Sequence, residues 1–483
     1  MRKRELKMLF KTKPWEHQIK AFDYLYNKDV AALYTDMGTG KSKIMIDLIV
    51  NREWQIVLIV CTKKGCQNWV KQFDYHCLGG CTVKNLTDLS SVDKVAVLRE
   101  NVKQHIGKLI LVVNYDSIWR EPFASELLKK YVNIDCIICD ESHRIKTPGS
   151  KCSRFLTKIG KRVPCRYLVT GTPLAENPVD IYAQYRFLDP SIFGTSLNVF
   201  RSRYLNIDYS LSNMLGYIVL DRKKPYKNLD ELKEKMFSCA FYGKSSIKLP
   251  KKHNIIYHYD VDKKTAQIYK ELKQDGMVTT KEGVISVENV LSMGLRQQQI
   301  LSGTLPLTDD EENTVPTVIN TDRKEILKEL LSNLPPDEPV VVFARFRCDF
   351  DNIKAVCDEL NRGYSEISGV ADTEKDWQQG KTSIVAVQYS SGSESIDLTR
   401  AHYCIYYSLT YSLALYLQSK KRIHRPGQTH TVTYYHIVAQ LPGEKAKTID
   451  EMIIQALKEK KEVVDYIIKN SPSKLNRTSK NVQ

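Results

Sequence analysis

Short apolar runs recur along this chain, at residues 56–61, 109–113, 134–139, 166–170, 340–344, 383–387, 402–407 and 431–438, and polar, helix-compatible stretches separate most of them. That alternation predicts parallel strands buried on both faces and joined by crossover helices. The runs form two clusters. The first ends near Asp189-Pro190 and the second begins near Pro335-Pro336, with a less apolar, Lys-rich, helix-like region between them. In that region Asn228-Leu229-Asp230-Glu231-Leu232 reads as an Asn-capped helix start, Leu249-Pro250-Lys251-Lys252 as a linker, and Ile285–Leu301 as a helix. No repeat of solenoid period stands out. Residues 471–483 are polar and basic and read as a flexible tail.

With 483 residues the chain can form two or three domains, each with its own core. The 72 Lys and Arg exceed the 56 Asp and Glu to give a formal charge of +16, which favours an anionic partner and, above all, nucleic acid. The twelve cysteines are scattered, several of them in apolar runs, and read as buried reduced thiols rather than a disulfide framework. Cys136 and Cys139 have no matching pair at zinc-ribbon spacing, and on a strand they face opposite sides. Neither a signal-peptide core nor a membrane-length apolar run is present, so a soluble, intracellular protein without membrane contact is expected.

Two motifs change the picture. Met37-Gly38-Thr39-Gly40-Lys41-Ser42 is a Gly-rich turn leading into a helix. Its backbone N–H groups can wrap phosphate oxygens, Gly38 and Gly40 permit positive φ, Lys41 neutralises charge, and Ser42 holds Mg²⁺. Thr35 stands where the strict phosphate-loop pattern has Gly. The second motif, Asp140-Glu141-Ser142-His143, ends an apolar run. Asp140 reaches the metal and Glu141 orients and deprotonates water; alone, the acidic pair would read as a helix cap, but beside Lys41 and Ser42 it reads as catalytic.

The order of motifs resembles the superfamily 2 helicases and translocases, in particular the Swi/Snf-like branch, over nearly the whole chain. Residues Lys13 to Ala21 look like the adenine-reading Q motif, which makes Gln18 the adenine contact. Leu58 to Lys63 with Asn68-Trp69 is similar to motif Ia, and Val113-Asn114-Tyr115-Asp116 to the next landmark. Asp140 to Lys146 matches the long acidic motif of the branch, and Thr170-Gly171-Thr172-Pro173 the coupling motif. Leu295-Arg296-Gln297 and Val341 to Ala344 resemble the start of the second lobe, Gly392 through Thr399 motif V, and Gln418 through Gln428 motif VI. Thr62 replaces a usual Pro, and Ser393 and Ser395 replace glycines of motif V.

What the resemblance implies is an α/β protein of two RecA-like parallel-sheet lobes with helical insertions. Lobe 1 is expected over 1–247 with an insertion at about 190–245, and lobe 2 over 248–470 with an insertion at about 265–320. The expected catalytic residues are Lys41, Glu141, Arg422 and Arg425, with the two arginines on one helical face. ATP is expected on Gln18, Met37, Gly38, Thr39, Gly40, Lys41, Ser42 and Gln418, and Mg²⁺ on Ser42 and Asp140. Nucleic-acid contact or coupling falls to Lys63, Trp69, Asn114, His143, Thr170, Thr172, Gly392 and Thr399. The implied activity is ATP-dependent movement on duplex or forked DNA, in replication, recombination or repair; unwinding of RNA or single-stranded DNA is the alternative. A non-hydrolysing clamp is disfavoured because the catalytic set is intact, and a metabolic ATPase because it needs no motifs Ia, V and VI.

Overall fold

A computed structural model describes residues 8–469 except positions 37, 216–217, 222, 244–246, 281–282, 287–289, 309–313, 393–395 and 444–445. The chain divides into two compact units, Met1–Lys248 with Glu462–Gln483, and Leu249–Lys461. The amphipathic run Ile449–Lys469 is a single helix. The second division point therefore falls inside a helix near Glu462, rather than at the expected residue 470. The tail expected at 471–483 lies outside the described residues.

The first unit is built on β1 (Val30–Thr35), β2 (Ile56–Cys61), β3 (Cys81–Asn85), β4 (Lys108–Asn114), β5 (Cys136–Asp140), β6 (Cys165–Thr170) and β7 (Ala240–Gly243). They form one sheet in the order β3-β4-β2-β5-β6-β1-β7, every neighbouring pair parallel. The central strands carry continuous apolar runs because helices cover both faces; all six residues of β2 are buried. Cys136 and Cys139 are both buried in β5, where loss of solvent pushes their thiols well up, and none of the twelve cysteines forms a disulfide. No cluster of metal-ligating side chains occurs among the described residues.

In the second unit the strands are β8 (Lys252–Asp260), β9 (Met277–Thr280), β10 (Gly283–Ser286), β11 (Thr304–Thr308), β12 (Thr314–Val318), β13 (Val340–Ala344), β14 (Tyr364–Ile367), β15 (Ile384–Gln388), β16 (Tyr403–Tyr406) and β17 (Val432–Gln440). Six make a second parallel sheet, in the order β14-β15-β13-β16-β17-β8. This is the expected pair of RecA-like sheets. No described helix is long and apolar enough to cross a membrane.

Two local expectations need correction. The region at 265–320 is only partly helical: β9, β10, β11 and β12 pair antiparallel into a third sheet. The β-branched stretches Val278-Thr279-Thr280 and Val284-Ile285 favour strands, so Ile285 lies in β10 and the helix runs Val290–Leu301. At the Leu229–Phe237 helix the start is as expected, but Asn228 sits at φ 52° and makes no side-chain cap. Its amide donates to the Arg203 carbonyl at 2.7 Å instead.

A buried charge fastens the second unit. Arg323 and Asp450 are each 1% exposed and form an ion pair, while Arg323 also donates to Tyr259 Oη at 3.1 Å and to the Tyr407 carbonyl at 3.0 Å. Removing one partner strands the other in a dry core. Arg323→Ala is expected to destabilise this unit by about 3–5 kcal/mol, and pairing Arg323→Met with Asp450→Leu to recover most of the loss, as read from urea unfolding midpoints.

Candidate nucleotide site and its neighbours

The sheet order brings the first unit's motifs into one row. β5, β6 and β1 are adjacent and parallel, with Asp140 in register with Val169 and Tyr34 in register with Thr170. The phosphate loop, the acidic pair and the Thr170 turn therefore leave the same edge within one residue of each other. Carboxyl ends of parallel strands are where ligands bind in such sheets.

Thr35, 1% exposed, ends β1, and its hydroxyl accepts from Thr39 Oγ1 at 2.9 Å. Thr39 Oγ1 also lies 2.7 Å from the Asp36 carbonyl, so the residue that breaks the sequence pattern closes the loop through a hydroxyl pair. Lys41 Nζ lies over the loop, 3.4 Å from the Thr35 carbonyl and 3.3 Å from that of Asp36. Gly38 and Gly40 adopt φ 77° and 79°. The left-handed backbone favours glycine at Gly40, and a Cβ there, 2.2 Å from Gln18 Nε2, would also displace the Gln18 amide. Ser42 stands in the first turn of the Lys41–Asn51 helix, whose N-terminus favours anions. Met37 lies outside the described residues.

Gln18 is buried, donating to the Thr39 carbonyl at 3.0 Å and accepting from the Trp15 N–H at 2.9 Å. His17 joins it on the Thr39 carbonyl at 2.9 Å. In this structure the Q-motif residues brace the phosphate loop.

Asp140 receives two hydrogen bonds, from Trp69 Nε1 at 2.9 Å and from the Glu141 N–H at 3.0 Å. Burial first, and then the charge of Glu141, hold its carboxyl up at about 6. A carboxylate crowded by another is an oxygen donor of the kind that suits a hard divalent cation. Trp69, expected at the nucleic acid, is 1% exposed, so it stands behind the Asp140 carboxylate rather than on an open surface. Trp69→Phe keeps most of the ring but deletes the N–H. It is expected to raise the Mg²⁺ concentration needed for half-maximal ATP turnover by about tenfold or more, as read from Mg²⁺ titrations, because outer partners orient metal ligands.

Glu141 occupies the left-handed region at φ 51° and ψ 52°, a strained conformation for a residue with a side chain. Its Oε2 accepts from Thr170 Oγ1 at 3.2 Å and lies 3.3 Å from His143 Nδ1, which is itself 3.3 Å from Thr170 Oγ1. Thr172 joins through its N–H to Thr170 Oγ1 at 3.1 Å, and its buried hydroxyl has no partner among the described residues. Glu141, His143 and the Thr-Gly-Thr turn thus form one polar cluster. Sequence reading missed two supports: Tyr115 Oη donates to the Asp140 carbonyl at 2.6 Å, and Gln184 accepts from Ser142 Oγ at 2.7 Å. Tyr115 lay inside a quoted motif, whereas Gln184, on the Asp180–Leu188 helix, carried no signal.

Farther along the same edge, Cys61 of β2 is in register with Asn114 of β4. Thr62, the substitute for Pro, caps the Lys63–His76 helix by accepting from the Gly65 N–H at 3.2 Å. Lys63, Lys94, Asn114, Ser117 and Arg120 border a pocket of about 220 Å³. Burial and the neighbouring Arg120 charge push the Lys94 amine down.

In the second unit, Gln418 and Arg422 lie on the Leu413–Ile423 helix, both largely buried. Arg425 is not on that helix, contrary to expectation. Pro426 disfavours helical backbone at the residue before it, so the helix ends at Ile423 and a turn carries Arg425. Arg425 Nη1 reaches the Ile396 carbonyl at 3.4 Å, and its buried Nε has no partner among the described residues. Gln428 Nε2 joins the carbonyls of Thr399, Ala401 and Ile423 at 3.1, 2.8 and 3.3 Å, tying motif V to motif VI. Thr399 itself donates to Asp397 at 2.7 Å. Gly392 ends the Tyr389–Gly392 helical turn after β15, and Ser393 and Ser395 are outside the described residues.

Residues 17–306 match the family described as SNF2-related domain, and residues 322–427 match the helicase conserved C-terminal domain. The chain is 26% identical over 391 residues to the CHD3-type chromatin-remodeling factor PICKLE of Arabidopsis thaliana, covering 76% of this chain and 26% of that protein. It is 23% identical over 501 residues to the ISWI chromatin-remodeling complex ATPase ISW1 of Saccharomyces cerevisiae, covering 95% and 41%. The chain thus spans less than half the length of either relative. A solved Sulfolobus solfataricus SWI2/SNF2 ATPase core in complex with dsDNA aligns over 96% of this chain and 95% of that one, at 19% identity and a TM-score of 0.42. With more than half of its residues in the first match and two parallel sheets behind the motifs, the chain belongs to the SNF2-related family of superfamily 2.

Proposed function

We propose that the protein is a DNA motor that couples ATP hydrolysis to movement along duplex or forked DNA. One observation carries the reading: a single sheet edge holds the phosphate loop and acidic pair at β1 and β5, and a cation-lined pocket beside β2 and β4. Hydrolysis chemistry and phosphate contacts then share one rigid frame. Gly38, Thr39, Gly40 and Lys41 hold the nucleotide phosphates, and Ser42 and Asp140 hold Mg²⁺, which would neutralise phosphate charge when bound. Glu141 takes the proton of the attacking water. Thr170, Thr172 and His143, in contact with Glu141 or each other, couple its state to the rest of the unit. Arg422 and Arg425 act on the γ-phosphate, and the unsatisfied Nε of Arg425 is the kind of buried donor that a ligand oxygen completes.

Backbone contacts position a protein without reading bases, so binding is expected to be insensitive to sequence and steep in salt. Lys63→Ala and Arg120→Ala should each weaken DNA binding and lower the slope of log K against log salt by about one, while leaving the DNA-free ATPase unchanged. The overall test is ATP turnover with duplex DNA, forked DNA, single-stranded DNA and RNA side by side. Strongest stimulation by duplex or fork supports the motor; stimulation by RNA alone ends it.

A further inference from the structure

Between the first and last elements of the insertion an arm leaves the sheet. Isolated antiparallel bridges join Leu205 to Tyr226 and Ile207 to Leu220, and backbone bonds from Asn206 N to the Pro225 carbonyl at 3.1 Å and from Asp208 N to the Val219 carbonyl at 2.8 Å extend the ladder. The Tyr209–Leu215 helix follows directly. The arm has a firm base. Phe200 and Tyr204 of the Leu197–Tyr204 helix pack ring to ring at 4.7 Å, Phe200 also meets Tyr182 at 5.1 Å and Phe193 at 5.4 Å, and Phe200 and Tyr204 are buried.

What this base supports is an open groove of about 730 Å³, bordered by Asn198, Val199, Arg201, Ile207, Tyr209 and Asn213 among others. Its apolar side chains face outward: Val199 is 65% exposed, Tyr209 64%, and Met214, beside Asn213, 71%. Apolar exposure concentrated in so short a segment marks a binding surface. Arg201 borders the groove, and the segment that carries it has one sign of charge in excess. Residues 196–227 hold six Lys or Arg against two Asp. Arg201, Lys223, Lys224 and Lys227 enter no ion pair among the described residues, whereas Arg203 is spent on Glu231.

We infer that this groove binds single-stranded nucleic acid, a strand parted from its complement, in addition to the duplex that the motor tracks. A duplex offers phosphates but keeps its bases stacked on one another, so it leaves the exposed Tyr209 ring and its apolar neighbours uncovered. An unpaired strand satisfies both halves of the surface: bases stack on an aromatic face and meet the Asn198 and Asn213 amides, and phosphates lie along the lysines. A protein segment rich in Asp and Glu would satisfy the charge but has no use for an aromatic platform. The inference rests on the nucleic-acid reading above, yet its binding test runs without ATP and so stands or falls apart from the motor activity.

The test is equilibrium binding of a fluorescent dT 20-mer to the full chain, against a blunt duplex of equal length, with 5-iodouracil photocrosslinking in parallel. Tyr209→Ala changes an exposed side chain, and it is expected to weaken the dT 20-mer about fivefold or more while duplex affinity stays within twofold. Tyr209→Phe should bind as the unchanged protein does, since the ring remains. Lys223→Glu with Lys224→Glu should weaken the same oligonucleotide and steepen the preference for duplex. Crosslinks should map to residues 197–220 and vanish in Tyr209→Ala. Undiminished dT binding by Tyr209→Ala, equal losses for both polymers, or crosslinks confined to other segments would each overturn the assignment; the first would turn the groove over to an acidic protein segment.

Discussion

Glu141→Gln is expected to bind ATP as tightly as the unchanged protein and to lose its turnover. The substitution keeps size and hydrogen-bonding reach, and so preserves the contacts to Thr170 and His143, but it removes the charge that accepts a proton from water. A positioned general base contributes about 10²–10⁴ in rate, so steady-state turnover should fall by at least about a hundredfold. Lys41→Ala provides the contrast. Its amine rests 3.3–3.4 Å from loop carbonyls in the structure and is poised to leave them for phosphate oxygens. Without it both affinity and turnover should fall. Nucleotide binding and ATPase assays on the two variants separate the roles, and near-normal turnover by Glu141→Gln would remove it from the catalytic set.

Arg425→Ala should cut kcat by about 10³ or more, the scale of an arginine finger, with DNA affinity mostly retained. The side chain is held by one long bond to the Ile396 carbonyl and leaves a buried Nε unmatched, an arrangement better suited to completing a site than to supporting the fold. Arg425→Lys should restore little, because an ammonium lacks the planar fork. A variant that loses DNA binding but keeps turnover per bound complex would move Arg425 to the backbone-contacting surface.

How much of this was legible depended on burial. The eight apolar runs became β2, β4, β5, β6, β13, β15, β16 and β17, all interior to their sheets, where both faces demand apolar side chains. The strands without a sequence signal were mostly edges. β3 is only half-buried throughout, and β8, with Ile255 and Ile256 each more than 40% exposed, is held by its ladder to β17 rather than by a core. β1 escaped notice although it is central, because Ala31 and Ala32 weaken its strand character. The phosphate-loop and acidic motifs stood out because residue type and spacing are fixed within a few positions. Gln184 and Tyr115 could not, since their roles arise from a fold that brings Gln184 to Ser142 across 42 positions and Tyr115 to Asp140 across 25. The position of Arg425 was written in the sequence after all, in the proline that follows it.

Movement on duplex DNA without obligatory melting is the central claim. A motor of that kind pulls on phosphates, whereas strand separation adds roughly 1.4 kcal/mol per base-pair step. The most direct measurement is displacement of a third strand from a triplex, run in the same buffer as fork unwinding and beside Glu141→Gln as the hydrolysis-dead control. ATP-dependent triplex displacement by the unchanged protein, steep in salt, indifferent to base sequence and absent from Glu141→Gln, is the predicted result. Robust fork unwinding with no triplex displacement would contradict it.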